Sequence, residues 1–231
     1  MKRITVALVS LLLLASCTVT EKLSVNKNGS GTSSSDIKVE QFFVDVLEDF
    51  SEFLPDSNES IMDSAMSGFA GQLQGTKSAS DVAFRKNGKN NYSISFSYSS
   101  IEALIRELGG TDQTLFKETA NSLSFYVDIN NFEELTKIVP FLADPNFEVY
   151  GPLFNQGTSE SDYLDMIYFL LGEEGPDAIS NGYVSIDITV PGSITSVSGA
   201  RRVNQNTARF SFPIIDFLLL SKPLTFTVNW K

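Results

Sequence analysis

Any chemistry in this chain has to run without imidazole. The 231 residues contain no histidine and one cysteine, Cys17. That removes His-based triads, His-ligated metals and the usual proton shuttle near neutral pH. A lone thiol makes neither an internal disulfide nor a thiolate zinc site. Carboxylates remain, in adjacent pairs at Glu48-Asp49, Glu133-Glu134 and Glu173-Glu174. Neighbouring side chains on a helix point about 100° apart, so this spacing builds no acid/base pair, and solvated faces or helix ends account for all three. Asp128-Ile129-Asn130 opens like a calcium loop, but Glu133 stands where the loop needs Gly and Val139 where it needs a bidentate Glu. No GxSxG elbow, P-loop or GxGxxG turn occurs. The expectation is a protein that is not an enzyme and uses no cofactor or metal, a hydrolase built without His or Cys being the alternative. With 28 Asp+Glu against 17 Lys+Arg and a net charge of −11, nucleic acid is not expected as a partner, because phosphate affinity comes from Lys and Arg.

The N-terminus says where such a protein would sit. Lys2 and Arg3 precede a nearly continuous apolar run from Ile4 to Ala15. A spanning helix needs about 20 residues, so this shorter run fits a secretory signal and not a membrane anchor. It ends in Leu14-Ala15-Ser16-Cys17, which resembles the lipobox of bacterial lipoproteins. The resemblance implies cleavage before Cys17, acylation of that cysteine with palmitate-type chains, and attachment to a membrane of the cell envelope outside the cytoplasm. Thr18, where some lipoproteins carry Asp, resembles the outer-membrane default in cells that have two membranes. Each buried CH₂ contributes about 0.8 kcal/mol, so one acyl chain holds marginally and two or more hold stably. Cleavage also removes Lys2 and Arg3, which leaves an acidic body that anionic headgroups repel. The expected layout is a signal peptide at 1–16, a lipidated tether at 17–21 and a single domain at 22–231.

The 42% apolar content and 18 Phe suffice for a packed core. Leu23 and Val25 lead to Asn28-Gly29, a type I′ hairpin signal, with a return strand over 33–39; a Gly/Ser linker is the alternative. Phe42, Phe43, Val46, Leu47, Phe50, Phe53 and Leu54 recur at helical spacing and stop at Pro55. A second helix starts near Ser60. Val82 and Phe84, Asn87-Gly88, and the alternating Tyr92, Ile94, Phe96 and Tyr98 read as a hairpin. Ser99-x-x-Glu102 reads as a capping box for a helix over 101–108, and Asn130 or Asn131 as the cap of a helix over 132–139. Leu123–Ile129 reads as a strand, and Ser159-x-x-Asp162 opens an apolar helix that should be buried or face a hydrophobic site. Val184–Val190 reads as a strand returning through Ile194 and Val197 after Pro191-Gly192. Strands near Phe210 and over 224–230 flank an apolar stretch with a helical turn. Interspersed hairpins and helices indicate an α+β fold, a mainly antiparallel sheet packed with several amphipathic helices.

Val190-Pro191-Gly192-Ser193-Ile194-Thr195-Ser196, then Gly199, Asn206 and a Phe- or Trp-containing strand, resemble the end of LppM-type lipoprotein domains. The Leu23–Gly31 hairpin fits their usual start. The resemblance implies a sheet folded around helices, an apolar cavity and binding of lipid-like ligands. Tyr92, Ile94, Phe96 and Tyr98 on one strand face, opposed by Phe42, Phe43 and Phe50, could line such a site or form ordinary core, since close packing is the default use of apolar stripes. The expected function is that of an envelope lipoprotein whose domain binds a hydrophobic ligand. A surface-displayed protein-interaction module without a cavity is the alternative, its protein partner unknown.

Overall fold

The computed structural model describes residues 17–41, 44, 61–110, 113–138 and 148–231. The aromatic stripe expected as a helix at 42–54, with Phe42, Phe43 and Phe50, lies outside them, as does Glu48-Asp49. The middle of the molecule is β1 (Cys17–Val25), fourth in a seven-stranded sheet. On one side follow β2 (Gly31–Val39), β4 (Asn91–Tyr98) and β3 (Ala79–Lys86). On the other follow β7 (Tyr183–Thr189), β10 (Thr207–Pro213) and β9 (Arg201–Arg202). All neighbours are antiparallel except β1 and β7, which run parallel. A second, antiparallel sheet has the order β5 (Phe116–Thr119), β6 (Ser122–Val127), β11 (Leu224–Trp230), β8 (Ile194–Ser198). Six helices complete the described residues: α1 (Ile61–Gly75), α2 (Ile101–Glu107), α3 (Phe132–Ile138), α4 (Glu160–Leu171), α5 (Glu174–Asn181) and α6 (Ile214–Leu219). The fold is α+β, as its sequence pattern indicates.

Register sorts the large sheet into two faces, because side chains alternate along each strand. Val19, Glu21, Leu23 and Val25 of β1 stand level with Ile37, Ser35, Ser33 and Gly31 of β2, and these with Tyr92, Ile94, Phe96 and Tyr98 of β4. On the far side Val19, Glu21 and Leu23 stand level with Val184, Ile186 and Ile188, then with Phe212, Phe210 and Ala208. This is the inner face. The opposite face carries Thr18, Thr20, Lys22 and Ser24 with their Ser, Thr, Asp and Arg neighbours, and the Arg209 guanidinium holds Asp187 there by two hydrogen bonds of 2.6 and 2.7 Å.

Two apolar cores cover the inner face. Over β2 and β4, helices α1 and α2 bring Met66, Leu73, Leu104 and Ile105 against Ile37, Tyr92 and Ile94. Over β7 and β10, the second sheet packs through phenylalanines, with Phe210 at 5.1 Å from Phe226 and Phe226 at 5.9 Å from Phe125, centre to centre. Helix α6 adds Ile214, Phe217 and Leu218 to that core.

Several local expectations change in detail. Residues 17–21 are no slack tether but the first half of β1, hydrogen-bonded to strands on both sides. The β1–β2 turn spans 26–30, with the Gly29 N–H donating to the Asn26 carbonyl at 3.0 Å, and only Gly29 takes positive φ (79°). The N-cap of α2 is Ser100, whose hydroxyl accepts from the Ala103 N–H at 3.2 Å, one residue past the expected Ser99. The Asn131 carboxamide does not cap α3; its oxygen accepts from the Asp128 N–H instead. Strand β8 does not return beside β7. It crosses to the second sheet and pairs with β11, while β10 takes the place beside β7. At the crossing Gly192 lies against the Lys231 carbonyl, where a Cβ would overlap it.

Candidate functional site

Three of the four β4 residues singled out from the sequence are sealed in the core under α1 and α2. Tyr92, Ile94 and Tyr98 are buried, and both phenols are satisfied. The Tyr92 hydroxyl donates to Asp63 Oδ1 at 2.9 Å, and Lys86 Nζ pairs with the other oxygen of that carboxylate at 2.7 Å. The Tyr98 hydroxyl donates to the Ser24 carbonyl at 2.6 Å. Burial raises both phenol pKa values, so the rings stay neutral. Phe96 differs. It remains half-buried, opposite Ser33 of β2.

Phe96 belongs to a seam between the two cores. A central strand covered on one face is normally the most buried part of a sheet, yet Val19, Glu21 and Leu23 of β1 all keep part of their surface open, as do Phe96 and Ile186 beside them. Their outer neighbours are closed: Ile94 is 2% exposed on one side and Ile188 is fully buried on the other. Leu23, Phe116 and Ile138 pack against both cores and bridge the seam. The result is a seam along β1 at which the two cores meet and the apolar side chains are only partly covered.

One charged group stands in that seam. Ser33 Oγ donates to Glu21 Oε1 at 2.6 Å, and Ser35 Oγ donates to Oε2. Burial, the dominant influence, pushes the Glu21 pKa above the ordinary carboxylate value; the serine hydrogen bonds oppose this and the nearby Asp36 charge adds to it. No lysine or arginine among the described residues pairs with Glu21. Glu118, reaching toward the β1–β2 turn from β5, is raised by burial in the same way. Sequence reasoning missed Glu21, Ser33 and Ser35. The alternation Val19-x-Glu21-x-Leu23-x-Val25, which places Glu21 on the apolar side, is the signal that finds them.

The other candidate chemistry is occupied structurally. Asp128 Oδ1 accepts the Asn130 and Asn131 N–H groups, and Oδ2 accepts the Tyr126 hydroxyl at 2.8 Å. Glu134 holds the Thr114 N–H and hydroxyl, and Glu173-Glu174 lie exposed where α4 turns into α5. Ser24-x-x-Lys27 and Ser35-x-x-Lys38 have the spacing of serine–lysine hydrolases, but Ser35 and Lys38 fall on opposite faces of one strand, and the Ser24 hydroxyl hydrogen-bonds that of Thr32. An open hollow of about 500 Å³ between the end of α1 and α2 is lined by Gln72, Thr76, Lys77 and Glu107. There the Glu107 carboxylate accepts the Lys77 and Ser78 N–H groups, which ties the two helices together and holds its pKa below the usual range.

The chain resembles a solved lipoprotein domain in outline. It superposes on the NMR structure of the folded domain of Mycobacterium tuberculosis LppM with a TM-score of 0.40 and 9% identity, over 94% of this chain and 90% of that one. At that level of similarity nothing about function passes between the two chains. No protein-family model matches the sequence, and no curated protein matches it.

The seam combines partly covered apolar side chains, Val19, Leu23, Phe96 and Ile186, with the hydrogen-bonded carboxyl of Glu21. Among the described residues no cluster of three or more acidic or thiol side chains is placed to hold a metal ion, and no helix is long and apolar enough to cross a membrane.

Proposed function

We propose that this protein is a cell-envelope lipoprotein, anchored through acylated Cys17, whose domain binds a hydrophobic or lipid-like ligand along β1. The observation that carries the ligand is the half-covered central strand. Val19, Leu23, Phe96 and Ile186 offer apolar surface in the middle of a sheet whose flanks are closed. The lipobox-like Leu14-Ala15-Ser16-Cys17 supports the anchor, and the acidic body supports a lipid attachment over an electrostatic one. The reading is of a binding protein, without turnover, cofactor or nucleic-acid partner.

Native mass spectrometry of the purified protein tests it, with co-purifying lipid as the expected result. Phe96→Asp places a charge beside β1 and is expected to abolish uptake in a protein whose far-ultraviolet circular dichroism is unchanged, Phe96 being only partly buried. A Phe96→Asp protein that unfolds would identify the residue as ordinary core. A second reading, a module that docks another protein, is favoured by Phe169 and Phe154, which are 86% and 67% exposed. A lipid-free protein that still captures a defined partner through those residues would favour it.

A further inference from the structure

We propose that the C-terminal end of α4 is a docking surface for a cationic amphipathic segment of a partner protein, with Phe169 as its apolar anchor. This rests on the protein-docking reading above, adds the chemistry of the partner, and is independent of what β1 binds. Tyr168, Phe169 and Leu170 are 52%, 86% and 43% exposed in the last turn of the helix. Single exposed apolar residues are ordinary, but three in succession are a fault in a surface unless something covers them. The inward side of the same helix is satisfied, since Tyr163 and Ile167 are fully buried. The charge around this end selects the occupant. Asp165 stands three residues before Tyr168 and four before Phe169, and Asp162 seven before Phe169, so both acids share the exposed stripe. Glu173, Glu174 and Asp177 are exposed where α4 turns into α5. No lysine or arginine occurs from Ile138 to Ala200, and no salt bridge among the described residues uses any of these five acids. An anionic bilayer meets like charge here, and so does the same face of a second copy. Lysine or arginine gains twice, from the carboxylates and from the open rings of Tyr168 and Phe169, whose faces attract cations. An apolar side chain between such cations then covers Phe169, in the manner of a buried aromatic anchor.

The test is photo-crosslinking of the full chain, held by its anchor in phosphatidylcholine vesicles, to three benzophenone-bearing helical peptides. The peptides share one leucine stripe and carry Lys, Gln or Glu at every polar position. Label within α4 and α5 is located by mass spectrometry. The Lys peptide is expected to reach half-maximal labelling at a concentration about tenfold below the Gln peptide, with the Glu peptide weakest. Added salt should shrink that advantage. Phe169→Ser should raise the concentration needed by the Lys peptide about tenfold, the loss of one anchor, with unchanged near-ultraviolet circular dichroism. Asp165→Asn should raise it about threefold, as for an exposed ion pair. Asp36→Asn, which removes an exposed charge from β2, should change nothing and so separates this face from general attraction to an acidic protein. The peptide series and its salt dependence are read on the unaltered chain, so they decide the matter even if a variant misfolds. Equal labelling by the Lys and Gln peptides, flat with salt, overturns the cationic partner while the docking reading stands. Absence of label on α4 from all three peptides overturns both. Labelling of α4 by a photoactivatable phosphatidylcholine in the vesicle would assign the face to the bilayer instead. Peptide labelling that falls as the protein density on the vesicle rises would assign it to a second copy.

Discussion

Gly31 shows how tightly single residues are specified around the seam. It faces Tyr98 across the β2–β4 ladder, and a Cβ there would overlap both the Ser24 carbonyl oxygen and the Tyr98 hydroxyl. Those are the two atoms of one hydrogen bond. Gly31→Ala must therefore displace the ring and break the bond together. Overpacking and a lost buried hydrogen bond each cost about 1–3 kcal/mol, so denaturant unfolding should show a loss of at least about 2 kcal/mol. Glu21 makes a prediction of the opposite kind, in which a native group weakens the fold at neutral pH. Its folded-state pKa lies above the unfolded value of 4.5, so the folded chain binds the proton more tightly. The stability that this gives is fully present below pH 4.5 and is lost as pH rises through the raised value. Glu21→Gln stays neutral throughout. The stability difference between the two proteins should shift in favour of Gln from about pH 4.5 upward. A difference independent of pH would mean that the carboxylate is adequately hydrated in the fold. Glu118 titrates with the same sign but is common to both proteins, so it cancels.

At the scale of elements, local pattern succeeded where a period was strong and failed where partners were distant. The Tyr92–Tyr98 alternation gives β4 directly, and the Ser159 hydroxyl caps α4 by accepting from the Asp162 N–H, as its spacing suggests. Pro191-Gly192 looks like a hairpin turn that would return β8 beside β7, whereas β8 pairs with β11 and Gly192 lies against the Lys231 carbonyl, thirty-nine positions away in sequence. The sequence pattern assigns no element to the residues of helix α5, whose first turn holds Gly175-Pro176. Its Ile179 is nonetheless buried, and its Gly175 packs closely on Ile167 of α4. Helix α4 itself looked apolar all round, and the structure divides it. Tyr163 and Ile167 are fully buried, while Tyr168, Phe169 and Leu170 are exposed. That division predicts unequal substitutions in one helix. Ile167→Ala should cost about 2–5 kcal/mol through the cavity it leaves. Phe169→Ser should change stability by no more than about 0.5 kcal/mol. Thermal unfolding of both variants checks this, and comparable losses would mean that Phe169 is covered.

For the molecule as a whole, the sequence made the α+β class legible, but not the seam. The seam arises only when two cores, assembled from residues as far apart as Ile37 and Phe226, settle on either half of one sheet. Nothing in the local pattern of β1 encodes that gap, and a short polar stretch after Cys17 resembled a tether. Its conversion into strand has a mechanical consequence if Cys17 carries the anchor. Cys17 pairs with Val39, and Thr18 pairs with Tyr183, so no slack chain separates the acylation point from the seven-stranded sheet. The sheet is then held with the Cys17 end of β1 against the bilayer. A Gly/Ser insert of twelve residues between Cys17 and Thr18 would let the body drift by about 20 Å, the r.m.s. span of such a chain. Trp230 is the chain's one tryptophan and sits buried at the end of β11, so it reports distance without labelling. Energy transfer from Trp230 to a dansyl lipid should fall clearly on insertion, while the near-ultraviolet circular dichroism of the fold stays the same. Unchanged transfer would show that the body already moves freely above the membrane, or that it is held there by something other than Cys17.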